Sequence, residues 1–130
     1  MSGNRNNPVG WFEIYVQDME RAKNFYQRTL ELELQPLQSP ESVPGLELLA
    51  FPMNFEKPGC TGALVRMEGK DSGIGGSLVY FSCNDCAVEA ARAVENGGTL
   101  FKPKTSIGQY GFYVLIKDTE GNLIGLHSMQ

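Results

Sequence analysis

Apolar and polar residues alternate from Val9 to Val16, the period of a strand with one buried face. Asp18 follows, a short carboxylate suited to accept hydrogen bonds from the free amides that open a helix. Beyond it Met19, Ala22, Phe25, Tyr26 and Leu30 recur at spacings of three and four, which predicts a helix with one apolar stripe against a sheet and Glu20, Arg21, Lys23 and Arg28 in water. Short strand-like runs over 31–37, 46–52 and 62–67 come next, separated by segments holding Pro36, Pro40, Pro44, Pro58 and Gly59. The first half therefore reads βαβββ.

The same order then begins again. A strand is expected over 77–83, Asp85 caps a helix carrying Cys86, Ala90, Ala91 and Val94, and Gly97-Gly98 stops it. Strands over 99–102, 112–117 and 123–128 complete the second half. Asp18 and Asp85 are 67 residues apart (85 − 18 = 67), and Glu13 and Ile14 match Tyr80 and Phe81 at that offset. An internal duplication is expected, with module one over 8–68, a linker over 69–76 and module two over 77–130 in a single domain of 130 residues. The linker is rich in glycine but lacks the Gly-Lys-Ser/Thr ending of a phosphate loop.

Composition narrows the classes of function. A 42% hydrophobic content supports a core, while no run reaches the roughly 18 apolar residues of a membrane span. The opening Met1–Pro8 lacks the apolar segment of a signal peptide, so a cytoplasmic location is expected. The net charge of −4 (11 − 15) comes without a basic cluster suited to a phosphate backbone, which argues against nucleic acid as a partner. Cys60, Cys83 and Cys86 are odd in number and read as reduced thiols. Cys83-Asn-Asp-Cys86 has the spacing of redox and zinc sites, yet no second pair completes a zinc shell.

A repeated βαβββ unit containing Pro8-Val-Gly-Trp-Phe-Glu-Ile14, Asp18-Met-Glu-Arg-Ala-Lys-Asn-Phe-Tyr26 and Asp118-Thr-Glu-Gly-Asn-Leu-Ile-Gly-Leu-His127 resembles the vicinal oxygen chelate superfamily, which includes glyoxalases, bleomycin-resistance proteins and extradiol dioxygenases. More narrowly, it looks like an uncharacterised branch related to lactoylglutathione lyase. The resemblance implies an α+β fold in which two tandem βαβββ modules form curved sheets around a cleft. It also implies that metal-dependent members ligate a divalent ion from the first and last strands of each module.

Carried onto this chain, the first-strand positions fall on Trp11 and Leu78, each seven residues before a capping aspartate (18 − 11 = 7; 85 − 78 = 7). The last-strand position of module two falls on Gly125, and the corresponding run Gly62–Met67 offers no carboxylate. No metal and no other cofactor is therefore expected, and the ion-dependent lyase and dioxygenase reactions lose their support.

Strand alternation turns Glu13, Tyr80 and His127 into the same cleft as the lost positions. Glu13 and His127 are the candidate catalytic pair, for proton transfer. Trp11, Tyr80, Leu78, Phe51 and Phe112 are candidate ligand-binding residues, with Phe55, Tyr110 and Tyr113 divided between core and pocket wall. Two readings compete: a metal-free small-molecule-binding protein of the bleomycin-resistance type, and a metal-independent lyase or isomerase using Glu13 and His127. A third places function in an assembly, and the resemblance makes a homodimer plausible.

Overall fold

The computed structural model describes residues 7–130, and the opening of the segment read as leader-free lies outside them. Its elements run β1 (Val9–Tyr15), α1 (Met19–Leu30), β2 (Gln35–Leu37), β3 (Leu46–Ala50) and β4 (Thr61–Met67), then β5 (Ser77–Ser82), α2 (Cys86–Glu95), β6 (Thr99–Ser106), β7 (Phe112–Lys117) and β8 (Leu123–Ser128), with one 3-10 turn at Gly108–Tyr110. This is βαβββ twice. The helices begin where the aspartates place them: Asp18 accepts from the Arg21 amide and Asp85 from the Ala87 amide. Gly97 and Gly121 take the positive φ expected after α2 and in the last hairpin.

All eight strands join one sheet, in the order β2-β3-β4-β1-β5-β8-β7-β6. Each module pairs its first strand parallel to its last, β1 with β4 and β5 with β8. Antiparallel pairing of β1 with β5 joins the modules and sets Trp11 opposite Tyr80 and Glu13 opposite Leu78. The 67-residue offset carries each of these pairs onto the other (78 − 11 = 67; 80 − 13 = 67), so the junction has pseudo-twofold symmetry.

The helices cover one face. Under α1, Val16, Leu34, Leu49, Phe51 and Leu64 form a core that also takes up Met19, Ala22 and Tyr26. Under α2, Cys86, Ala90, Val114, Ile116 and Leu126 form a second. The stripes are narrower than the spacing predicts: Phe25 (60% exposed), Leu30 and Val94 point away from the sheet, and Ala91 is exposed while Ala93 packs in its place. Each helix touches the sheet along one line, which cannot cover every apolar position of a broad stripe.

A third core lies on the other face, where no helix packs: Leu78, Tyr80 and Leu115 are buried there, with Trp11, Tyr15, Tyr113 and Leu123 against them. Curl of the sheet buries them. A flat eight-stranded sheet would hold its edge strands about 34 Å apart, seven spacings of about 4.8 Å. Yet Ser42, beyond edge strand β2, donates to the Ser106 carbonyl at the end of edge strand β6 (2.7 Å), and the Tyr110 hydroxyl donates to the Gln38 carbonyl (2.9 Å). The edges thus meet over the concave face.

Replacing the fully buried Leu64 by alanine is expected to lower unfolding free energy by about 2–5 kcal/mol, whereas Phe25→Ala in the same stripe changes it by less than about 1 kcal/mol. Urea denaturation of both variants checks the assignment of the α1 face.

Candidate functional site

The concave face holds the residues of interest in three rows across the sheet. Glu13 lies in one with Leu78, Leu123 and Lys117. Trp11 lies in the next with Tyr80, Gly125 and Leu115, and His127 lies in the third with Ser82 and Tyr113. The Trp11, Leu78 and Tyr80 expected in the cleft are all there. Phe51 and Phe112 are not: both lie on the helix face, Phe51 packed against the Phe12 and Tyr26 rings and Phe112 in the core under α2. Phe51 directly follows Ala50, the partner of the concave-face Ala63, and Phe112 directly precedes Tyr113, so alternation turns both to the other face.

Glu13 sits at the middle of an aromatic cage. The Trp11 indole N–H donates to its Oε2 (3.2 Å), while the Tyr15 and Tyr80 hydroxyls both donate to its Oε1 (3.0 and 3.3 Å). Burial raises the pKa of this carboxyl above the usual glutamate value, and the hydrogen bonds from Tyr15, Trp11 and Tyr80 pull it back without cancelling the rise. Burial and the neighbouring Glu13 charge likewise raise the Tyr15 and Tyr80 hydroxyls, so both stay protonated donors. Tyr15 is missing from the expected set although it is two residues from Glu13 on one strand, where the period of two would have found it.

His127 shares the face with Glu13 but not the site. Two strands and four residues separate them (82 − 78 = 4), about 16 Å by ideal sheet spacing. Its Nε2 meets the Tyr110 carbonyl at 2.5 Å, which ties β8 to the turn before β7. The geometry thus gives His127 a local partner and gives Glu13 three others, with none in common.

The register also tests the metal positions. Tyr80 pairs with Gly125 as Glu13 pairs with Ala63, so the four concave positions are Trp11, Ala63, Leu78 and Gly125. Alanine, leucine and glycine carry no donor atom, and the indole is a hydrogen-bond donor already engaged. Among the described residues no three His, Cys, Asp or Glu side chains gather as a cation site. The residues present do not fit the ion. Gly125 has a different use: a Cβ there would lie 2.8 Å from Tyr80 Cγ and nearer still to Cδ1 and Cε1. The Tyr80 ring occupies the space into which a side chain at position 125 would project, and from there its hydroxyl reaches Glu13.

The floor of the face, Leu78, Tyr80 and Leu115, is buried, whereas Trp11, Glu13, Tyr15, Tyr113, Leu123 and His127 keep part of their surface open. A hollow of about 380 Å³, with Tyr15 among its lining residues, lies between the start of α1 and Ser72–Ser77. Two of the thiols are withdrawn: Cys86 is buried at the start of α2, and burial and then the Glu89 charge push Cys83 up to about 12, which keeps it a protonated, unreactive thiol.

Two βαβββ units sharing one curled sheet, with a site on its concave face, define the paired-module class of fold. Residues 9–126 match the Glyoxalase/Bleomycin resistance protein/Dioxygenase superfamily, and the chain belongs to it. Similar solved structures include a hypothetical protein from Bacillus halodurans (14% identity, 98% of this chain and 96% of that one, TM-score 0.71) and methylmalonyl-CoA epimerase from Mycobacterium tuberculosis (16%, 100% and 93%, 0.69). A variant Streptomyces coelicolor methylmalonyl-CoA epimerase in complex with 2-nitronate-propionyl-CoA also matches (19%, 95% and 94%, 0.66). At these identities the likeness is one of fold. No curated protein matches in sequence.

Two outcomes are expected. A carboxyl with a raised folded pKa stabilises the fold fully below the unfolded pKa, and the contribution is lost as pH rises through the folded value. Wild type should therefore lose stability relative to Glu13→Gln across that window, by about 1.4 kcal/mol for each unit of raised pKa. Emission of Trp11, the only tryptophan and a direct donor to Glu13, should titrate over the same range and stop doing so in the variant. Gly125→Ala should displace the Tyr80 ring and cost about 1–3 kcal/mol, read by thermal unfolding.

Proposed function

We infer that the chain is a small-molecule-binding member of its superfamily that works without a resident metal ion and takes its ligand against the concave face. The observation that carries this is the half-open pair of rings Trp11 and Tyr15, both donating to Glu13 and set against the buried Tyr80, which donates to it as well. Rings offer area to a flat organic molecule, and one carboxyl that accepts or gives a hydrogen bond orients it. Support comes also from similar structures of methylmalonyl-CoA epimerase, which hold 2-nitronate-propionyl-CoA or methylmalonyl-CoA. The alternative, a metal-independent lyase or isomerase, needs Glu13 and His127 to act on one substrate, and their separate hydrogen-bond partners favour binding.

A panel of planar organic molecules, followed by Trp11 quenching and thermal shift, tests the reading. A true ligand should quench saturably and, at a hundredfold excess over Kd, add about 2.7 kcal/mol of stability. Tyr80→Ala should weaken it at least tenfold. A panel in which no compound moves either signal sinks the binding reading, and deuterium exchange next to a substrate carbonyl, lost in both Glu13→Gln and His127→Gln, would put the catalytic alternative in its place.

A further inference from the structure

Three lysines that form no ion pair among the described residues stand over two rings of module two, Phe101 and Tyr113. The Lys70 and Lys117 ammoniums lie 5.6 and 5.5 Å from the centre of the Phe101 ring, so the two are at most 11.1 Å apart (5.6 + 5.5), and the Lys102 ammonium lies 5.8 Å from the centre of the Tyr113 ring. Among the described residues the one ion pair is Lys104 with Asp85, so none of these three is paired with a carboxylate. They come from distant parts of the chain, Lys70 from the segment joining the modules, Lys102 from β6 and Lys117 from the end of β7. Phe101 is a large apolar side chain 49% exposed beneath two of them.

A β-bulge aims one of the charges. Leu100 pairs with Ile116, whose side chain enters the core under α2, and regular pairing would put Lys102 opposite Val114 on that same helix face. Lys102 pairs instead with Leu115, a concave-face residue, because Phe101 is inserted as an extra residue on β6. A bulge of this kind weakens the local ladder and redirects side chains. Here it brings Lys102 onto the concave side of the sheet, where its ammonium stands over the Tyr113 ring. Lys117 stands in the Glu13 row three strands away, about 14 Å by ideal spacing.

Like charges gathered beside rings repel one another, and a bound oxyanion would replace that repulsion with charge-assisted hydrogen bonds. Building on the ligand-binding reading above, we propose that Lys70, Lys102 and Lys117 form an anion subsite, so that the ligand class is a planar organic molecule bearing a carboxylate or phosphate. The uncharged body of the ligand lies against the rings beside Glu13. Its anionic group lies between the Phe101 ring under Lys70 and Lys117 and the Tyr113 ring under Lys102, away from a carboxyl that would repel it.

The test compares 2-naphthoate, 2-naphthyl phosphate and the neutral 2-naphthamide by Trp11 quenching and calorimetry, on wild type and on Lys70→Gln, Lys102→Gln and Lys117→Gln. At low ionic strength at least one anion should bind about tenfold more tightly than the amide, and whichever anion binds better identifies the oxyacid. That advantage should shrink as salt screens the lysines. Each variant should lose severalfold in anion affinity while its affinity for the amide stays unchanged, which separates loss of charge from loss of fold. Equal binding of all three compounds, or an anion preference intact in the variants, overturns the anion subsite and leaves the binding reading standing. No binding of any compound overturns both.

Discussion

Antiparallel pairing between β1 and β5 makes one sheet out of two βαβββ units, and the rest of the molecule is arranged around that junction. Each unit alone would expose its first strand as an edge, with a row of unpaired amides and carbonyls. Joining the two edges satisfies those groups and places the equivalent faces of the modules side by side. It also decides which residues meet: Trp11 faces Tyr80 and Glu13 faces Leu78, so each pair takes one member from either module. Curl of the joined sheet then brings Ser42 to Ser106 and Gln38 to Tyr110, burying a third core that neither helix touches.

Within that core Gly125, Tyr80 and Glu13 depend on one another. Absence of a side chain at 125 lets the Tyr80 ring lie over the β8 backbone, and the placed ring carries its hydroxyl to the carboxyl. A partly buried carboxyl without donors would be costly, and three donors offset that cost without removing the preference for the neutral form. The positions from which metal-dependent relatives would ligate an ion thus hold a packed aromatic and hydrogen-bonded cluster. At its centre Glu13 has a protonation state sensitive to pH.

Much of the fold was legible along the chain because its signals are local. Asp18 and Asp85 cap the helices, Gly97 and Gly121 supply positive φ, and the strands over 112–117 and 123–128 coincide with β7 and β8. Elsewhere local reading overreached. Leu32 and Leu34 extend the apolar pattern before β2, but Glu31 turns into the left-handed region at the end of α1 and the strand forms only over Gln35–Leu37. Phe25 and Leu30 fit a helical stripe by spacing and still face solvent, since spacing does not say how wide a surface the helix meets.

The sequence alone settled the order of elements, the caps and the absence of metal-ligating side chains at Trp11, Leu78 and Gly125, because each depends on residue type and on neighbours a few positions away. Tertiary structure settled which residues share a site. Glu13 and Tyr80 are 67 residues apart (80 − 13 = 67), Lys70 and Phe101 are 31 (101 − 70 = 31), and strand pairing, sheet curl and the β6 bulge bring each pair together. Glu13 and His127 show the converse. Alternation correctly gives them one face, but distance along and across the sheet is a property of register, which no single strand contains.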